Sequence, residues 1–438
     1  MTIDVTYQVP TVAVHTHIFH TVSQAVARAN GTPRMRQAYV PQPVQGKTPE
    51  QLRAYIDGLN PITKRPFMQE VVEGLTGALD DQDVHGLSFD RSTPRLCEPD
   101  AEERLQQLFL EQNWTDKLPV VLPTEARVAA MLKGTSRKPA EVVGRMRPTA
   151  FREVWEYTVE KVAVNAVMAG ARPEFLPVIL ALAASNVSAR GSTSSSGAVM
   201  AVVNGPVRQE IGMNCGIGAM GPYNLANATI GRAYGLLSQN GQGGSVPGYT
   251  YMGSQGNAYS FNNVCCAENE EASPWEPFHV GKGFAASDSV VSVFSGMQTT
   301  SYTLGLRHTH WREHIRNMLR GMDPNSSPLL VLDPLTARQF VEIAGLETRQ
   351  AVRDWIAANA QMPAGEYWDY QLVQNYRLPR ATFGEEPWAS WLKVPEDELI
   401  SFVRPQDVNI VVVGGEANAY WRIMGASHAK SVCVNDWR

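Results

Sequence analysis

The sequence predicts an α/β or α+β fold with a helical N-terminal half, a glycine-rich central α/β region and a C-terminal βαβ unit. Three observations lead there. Helical periodicity dominates as far as Ser185, the unbroken apolar run Ala198 to Asn204 has the character of a buried strand, and Val408 to Val413 is a second such strand closed by Gly414-Gly415. A chain of 438 residues exceeds one ordinary core. It therefore divides into an N-terminal arm and small helical region at 1–99, a central α/β catalytic region at 100–300 and a C-terminal α/β region at 301–438.

Composition narrows the function classes. Hydrophobic residues make up 44% of the chain and charged residues 18%, a globular balance. A formal charge of -5 gives no general attraction to nucleic acid or to acidic membrane surfaces. No apolar span reaches the ~18 residues of a membrane helix, and Met1-Thr2-Ile3-Asp4-Val5 lacks the basic start of a secretory signal. Five cysteines, an odd number, fit the reduced thiols of a cytoplasmic protein better than a disulfide framework.

Taken in order, His15, His17 and Phe19 alternate as on a strand, a spacing that metal sites also use; a histidine-rich edge or assembly arm is the plainer reading. Thr48-Pro49-Glu50-Gln51 spells an N-cap with proline at the first helical position, opening helical pattern to Leu79 that Asp57-Gly58 and Asn60-Pro61 interrupt. Leu105, Leu108, Phe109 and Trp114 give the next segment one apolar face, and Pro123-Thr124-Glu125 opens a further helix ending near Gly134. Tyr157 to Gly170 and Pro173 to Ser185 read as two buried helices. On the first, Lys161 and Asn165 are neighbours at i and i+4, and buried polar groups need partners, which makes Lys161 a catalytic candidate.

The stretch Asn204 to Gly283 concentrates glycine, asparagine, cysteine and acid. Gly191 to Gly197 leads into it as a small-residue loop at its rim. Gly212, Gly216, Gly218 and Gly221 exclude regular structure before Asn224 to Leu237, a helix whose positive end favours an anion. Gly216-Ile217-Gly218-Ala219-Met220-Gly221 fits a dinucleotide fingerprint by spelling only, since Pro222 and the asparagines break its βαβ context. Cys215, just ahead of that helix, is placed to have its thiol pKa lowered. Cys265 and Cys266 are expected reduced, on opposite faces of a strand. Glu268, Glu270 and Glu271, followed by Trp275, Phe278 and His279, offer carboxylates beside apolar rings, the setting of a general acid or base.

Later, His310, Glu313 and His314 spell H-x-x-E-H, which puts both imidazoles on one helix face as in inverted zinc peptidases, with Glu385 or Glu386 as a third ligand. Leu330 to Asp333 reads as a strand, Thr336 to Ala360 as helical. The strand ending at Val413 is followed by Gly414-Gly415-Glu416-Ala417-Asn418, a short helix and Ser431 to Val434, with Glu416 and Asn418 lining a pocket.

Four segments, Asn113-Trp114-Thr115-Asp116-Lys117-Leu118-Pro119, Glu160-Lys161-Val162-Ala163-Val164-Asn165-Ala166-Val167-Met168-Ala169-Gly170, Asn227-Ala228-Thr229-Ile230-Gly231-Arg232-Ala233 and Ala267-Glu268-Asn269-Glu270-Glu271, together resemble a bacterial family associated with UGSC proteins. These carry a selenocysteine- or cysteine-Gly-Ser-Cys motif. The resemblance runs roughly from residue 100 to 300 and, more weakly, over the C-terminal βαβ, carries no established reaction, and implies thiol or redox chemistry with a small thiol or selenol partner protein. The chain itself has no Cys-Gly-Ser-Cys.

These readings combine into an expected cytoplasmic enzyme, a homo-oligomer and a lyase or hydrolase rather than an oxidoreductase. It acts on a small polar, anionic molecule. Glu268, Glu270, Cys215 and Lys161 are its catalytic candidates, while Asn214, Asn224, Asn227, Arg232, Glu416 and Asn418 bind the substrate. No cofactor, nucleic acid or membrane is expected. The alternatives are a zinc hydrolase built on His310 and His314, and a non-catalytic binding or assembly subunit of a thiol system.

Overall fold

In the computed structural model, residues 2–29, 31–44, 47–85, 94–146, 156–190, 197–221, 223–242, 246–248, 251, 255–260, 263–297 and 300–438 are described. The small-residue loop expected at 191–196 and Pro222 lie outside them. At the N-terminal end, α1 (Thr2–Tyr7), β1 (Ala13–Thr16), α2 (His20–Ala29) and β2 (Gln37–Val40) precede α3 (Pro49–Asp57), α4 (Phe67–Thr76) and α5 (Asp81–His85). Strands β1 and β2 pair in parallel around α2. Thr48 is the N-cap read from sequence and closes a full capping box, accepting from the Gln51 amide while the Gln51 side chain accepts from Thr48 N. Beyond these lie α6 (Glu102–Glu111), α7 (Glu125–Met131), the antiparallel pair β3 (Val142–Arg145) and β4 (Glu156–Thr158), then α8 (Val159–Met168) and α9 (Leu176–Ala184).

The apolar run Ala198–Asn204 forms β5 as expected, buried along its whole length. After the single turn α10 (Val207–Glu210) and the long α11 (Leu225–Gln242) come β6 (Val264–Ala267) and β7 (Val290–Met297). The second half supplies β8 (Thr300–Leu304), α12 (Trp311–Arg320), β9 (Pro328–Leu332), α13 (Pro334–Glu342) and α14 (Arg349–Asn359). The short pair β10 (Gln361–Pro363) and β11 (Leu399–Ser401) follows, and then β12 (Asn409–Val412), β13 (Tyr420–Gly425) and β14 (Ser427–Cys433).

These strands make two four-stranded sheets with one plan. The first runs β14-β7-β5-β6 and the second β8-β13-β9-β12. Each ends in a parallel pair, β5 with β6 and β9 with β12, flanked by two antiparallel neighbours. The chain passes from one sheet to the other between β7 and β8, and returns between β13 and β14. Each sheet's outer strand therefore continues directly from a strand of the other sheet.

Period-two alternation explains the layering. Met200, Val202, Cys266 and Phe294 of the first sheet face Leu329, Val331, Val411 and Met424 of the second in a shared apolar seam. Val199, Ala201, Val203 and Cys265 point the other way, into α8, α9 and α11. Leu330, Leu332, Ile410 and Ile423 likewise point into α12, α13 and α14. The result is four layers, helix, sheet, sheet, helix, an α/β architecture as the sequence predicts. Among the described residues no helix is long and apolar enough to cross a membrane.

Three local expectations are corrected. The region Thr336 to Ala360 is two helices, broken where Gly345 takes φ +71. Tyr157 belongs to a strand, and helix α8 starts after it because Thr158 caps the Lys161 amide. The segment after Gly414-Gly415 is not helical: Tyr420–Gly425 is strand β13, paired with β9, so the parallel βαβ connection of this region is β9 to β12.

Phe294 sits in the seam with no exposed surface, its ring 5.4 Å from that of Phe278 and 5.6 Å from that of His428. Phe294→Ala is expected to cost about 3–5 kcal/mol of stability. Phe383→Ser, on a side chain 91% exposed, is expected to change it by less than ~0.5 kcal/mol, and urea unfolding of both variants checks the contrast.

Candidate functional site

Strand β5 ends at Asn204, and the chain must turn at once. Gly205 does this with φ +80 in a place where a Cβ would stand 2.0 Å from the Asp288 carbonyl oxygen, so only glycine fits. The turn α10 then carries Arg208 back over the strand ends. Its guanidinium donates to the carbonyls of Gly205 and Glu268 (3.0 and 2.7 Å), to Glu270 Oε2 (2.9 Å) and to both oxygens of Glu271 (2.9 and 3.2 Å). Burial opposes the Arg208 charge, and the carboxylates of Glu271 and Glu270 more than restore it. In return the Arg208 hydrogen bond holds the Glu271 carboxyl below the usual carboxylate range.

Glu268 follows directly on β6 and has no exposed surface. Its Oε2 accepts from Asn204 Nδ2 (2.6 Å) and Phe278 N (2.7 Å), and its Oε1 from Arg349 Nη2 (2.6 Å) and Val412 N (3.2 Å). Asn269 N donates in turn to the Val412 carbonyl at 2.7 Å. The edge of the first sheet is thus tied to the edge of the second, with a side-chain carboxylate acting as strand partner. Glu270 shares the Asn204 amide: its Oε1 accepts from Asn204 Nδ2 (2.8 Å) and Gly205 N (2.7 Å). The two glutamates singled out by the sequence are therefore brought together. Glu268 is saturated by four donors, while the Glu270 side chain keeps 12% of its surface exposed.

Cys215 stands close enough to this cluster to feel the charges of Arg208, Glu271 and Glu270. Its carbonyl accepts from Gly414 N (2.8 Å), and a Cβ on Gly415 would lie 2.3 Å from Ile217, so the Gly-Gly turn of the second half presses on the Cys215 loop. Asn269 Nδ2 adds a bond to the Gly414 carbonyl at 2.9 Å. The thiol does not follow its sequence expectation. Burial raises the Cys215 pKa, and Arg208 opposes this only in part. Cys265 and Cys266 face opposite layers, both buried and free, and burial pushes the Cys265 thiol up to about 12.

The asparagines of the glycine-rich loop are turned onto its own backbone. Asn227 donates to the carbonyls of Asn214 (2.9 Å) and Ala219 (3.0 Å) and accepts from Asn214 N (3.1 Å). Asn214 bridges Gly216 N and the Ile217 carbonyl, and Asn224 caps α11 at Asn227 N while donating to the Gly212 carbonyl. These side chains fix the loop's shape and have their principal hydrogen bonds within it.

Other expected residues lie apart from the cluster. Lys161 is exposed on α8, and Asn165 beside it bonds the Lys161 carbonyl and Asn240. Arg232 is committed to Asp116, with two 3.0 Å bonds, and to the Pro119 carbonyl, so an internal carboxylate already holds its charge. Glu416 pairs with Arg338 at 2.7 Å and Asn418 is exposed. His310 precedes α12 as its N-cap, while the His314 ring stacks 4.5 Å from that of His308. Among the described residues no group of three or more His, Cys, Asp or Glu is arranged to hold a metal ion. The residues that sequence reasoning missed are Asn204, Arg208 and Arg349. Arg208 is four residues beyond the strand end, a local signal; Arg349 reaches Glu268 from another helix, and no spacing announces it.

With this geometry in hand, the comparison with known families has one result. The UGSC family model matches residues 7–65. The resemblance is thereby borne out over the N-terminal segment, ahead of the residues that suggested it. No curated protein and no solved structure matches the chain. The UGSC-matching segment is the parallel β1-α2-β2 unit with α3, and it contains no cysteine. At the carboxyl end of β1 it instead carries His15, Thr16 and His17, whose Nε2, Oγ1 and Nδ1 atoms are buried without partners among the described residues.

Two outcomes are expected. Arg349→Met strands the Glu268 charge and is expected to cost about 3–5 kcal/mol in urea unfolding, much of it recovered in the double variant with Glu268→Gln. Site-resolved alkylation of Cys215 by iodoacetamide, followed by peptide mass spectrometry, is expected to accelerate only above the ordinary titration range of a thiol. Arg208→Gln is expected to move that midpoint higher still; a midpoint near neutral pH contradicts the burial argument.

Proposed function

We propose that the chain is an enzyme acting on a small polar organic molecule by acid-base chemistry, cleaving or eliminating across a bond. Glu270 moves the proton and the Cys215 thiol lines the same site. The observation that carries this reading is the setting of Glu270: a carboxylate at the joined ends of β5 and β6, fixed by Asn204, Gly205 and Arg208, yet still reaching the surface. Ligands of α/β sheets bind beyond the carboxyl ends of parallel strands, and a general base must be both positioned and accessible. Glu268, buried and fully hydrogen-bonded, acts as a positioning residue through Asn204.

The substrate's expected negative charge loses its anchor, because Arg232 is neutralised by Asp116 and two carboxylates meet Arg208 at the site. The substrate is accordingly a polar molecule of either charge. It also sets the protein in the cytoplasm, as a homo-oligomer working with a small thiol or selenol protein. Such a partner supplies the thiol or selenol that residues 7–65 lack.

A panel of small hydroxy acids, amides and thioesters, followed by mass spectrometry of products, identifies a turned-over substrate. Glu270→Gln is then expected to lower kcat by about 10²- to 10⁴-fold with the fold intact by circular dichroism, while Lys161→Ala leaves it unchanged. Retention of more than a tenth of the wild-type rate in Glu270→Gln sinks the proposal.

A further inference from the structure

Arg349 belongs to the first turn of α14, and its charge is spent on Glu268. One turn further along the same helix stands Arg353, half-buried. Burial, and then the charge of Arg349, push its pKa down. The adjacent Asp354, whose Oδ1 accepts from Gln350 at 2.8 Å, opposes this only in part. Facing Arg353 is the turn Val280–Lys282: a Cβ on Gly281 would lie 4.0 Å from Arg353 Nη2. Lys282, also half-buried, points its Nζ at Asn409 Oδ1 (3.3 Å) and over the Phe278 ring (5.0 Å), and its pKa is lowered by burial and by Arg353. Among the described residues neither Lys282 nor Arg353 meets a carboxylate, and the Nε atoms of Arg353 and Arg349 are buried without partners.

This is an unusual balance. Arg349 is balanced by Glu268, while Lys282 and Arg353 have only the neighbouring charge of Asp354 against them, which leaves a net positive charge in a half-desolvated patch. Nearby His428 does not change the sum, because burial and Lys282 lower its pKa to about 4 and keep the ring neutral. Like charges held together at reduced dielectric repel, and proteins keep such arrangements where a counter-charge completes them. A guanidinium fork with an ammonium point charge is the pairing that recognises a tetrahedral oxyanion. Gly281 and Gly283, on either side of Lys282, are both exposed.

We infer that Lys282 and Arg353, backed by Arg349, form a binding site for a small dianionic oxyanion of the phosphate class. Lys282 and Arg353 lie outside the Glu270 and Cys215 cluster, which only Arg349 touches, through Glu268, so the site does not rest on the reaction proposed there.

Isothermal titration calorimetry of the full chain with inorganic phosphate tests it. Saturable binding is expected, weakening as salt rises, reduced at least tenfold by Lys282→Met or Arg353→Met and lost in the double variant. Glu270→Gln is expected to bind phosphate as the wild type does. Thermal melts guard against misfolding: phosphate is expected to raise the Tm of the wild type and not that of the double variant, which itself melts no lower than the wild type without phosphate. No binding, affinity unchanged in the double variant, or tighter binding of succinate than of phosphate overturns the site.

Discussion

Glu268 carries an ionisable group into a seam from which solvent is excluded, and everything around it is arranged to make that tolerable. Its oxygens take two backbone amides, one side-chain amide and one guanidinium, drawn from β5, the loop after β6, β12 and α14. A buried carboxylate left unpaired costs several kcal/mol, so each of these elements is constrained to stay where it is. The apolar seam gives the two sheets adhesion without direction, since hydrophobic contact is indifferent to small slides. The four hydrogen bonds supply the registration that greasy side chains cannot.

The same carboxylate sorts the acidic cluster into distinct tasks. Glu268 is consumed by architecture, Glu271 extends to solvent on Arg208, and Glu270 occupies the position between. One asparagine, Asn204, touches both Glu268 and Glu270, so the geometry of the accessible carboxylate is inherited from the buried one. The loop bearing Cys215 is held by a different device, a ladder of asparagine amides onto main-chain carbonyls, and it is clamped from above by Gly414 and Gly415 of the other half. Chemistry on one half thus sits in a frame completed by the second.

How much of this was legible in the sequence follows from the range of each interaction. Strand β5 and the N-cap at Thr48 declare themselves because their causes are local: an apolar run, and a hydroxyl directly ahead of a proline. The acidic stretch was legible as a location. Its division of labour was not, because Arg349 meets Glu268 across 81 positions of chain. Arg232 misled for the same reason: its helix was read correctly, and the Asp116 that neutralises it lies 116 positions away. The residues after Gly414 misled differently. Their pattern is compatible with a helix in isolation, and only the vacant edge of β9 makes a strand the better solution.

Strand β14 lies outermost in the first sheet, pairing Ser427 with Ser295 and Cys433 with Val290, although the whole second sheet is made between them. During synthesis on the ribosome the first sheet therefore waits with an open edge at β7 until the chain has passed through β8, β9, β12 and β13. An open edge is a template for unwanted pairing, and distant pairing is slow. The nascent protein carries that hazard from Met297 until Ser427 is made, and the last strand is the latch that ends it.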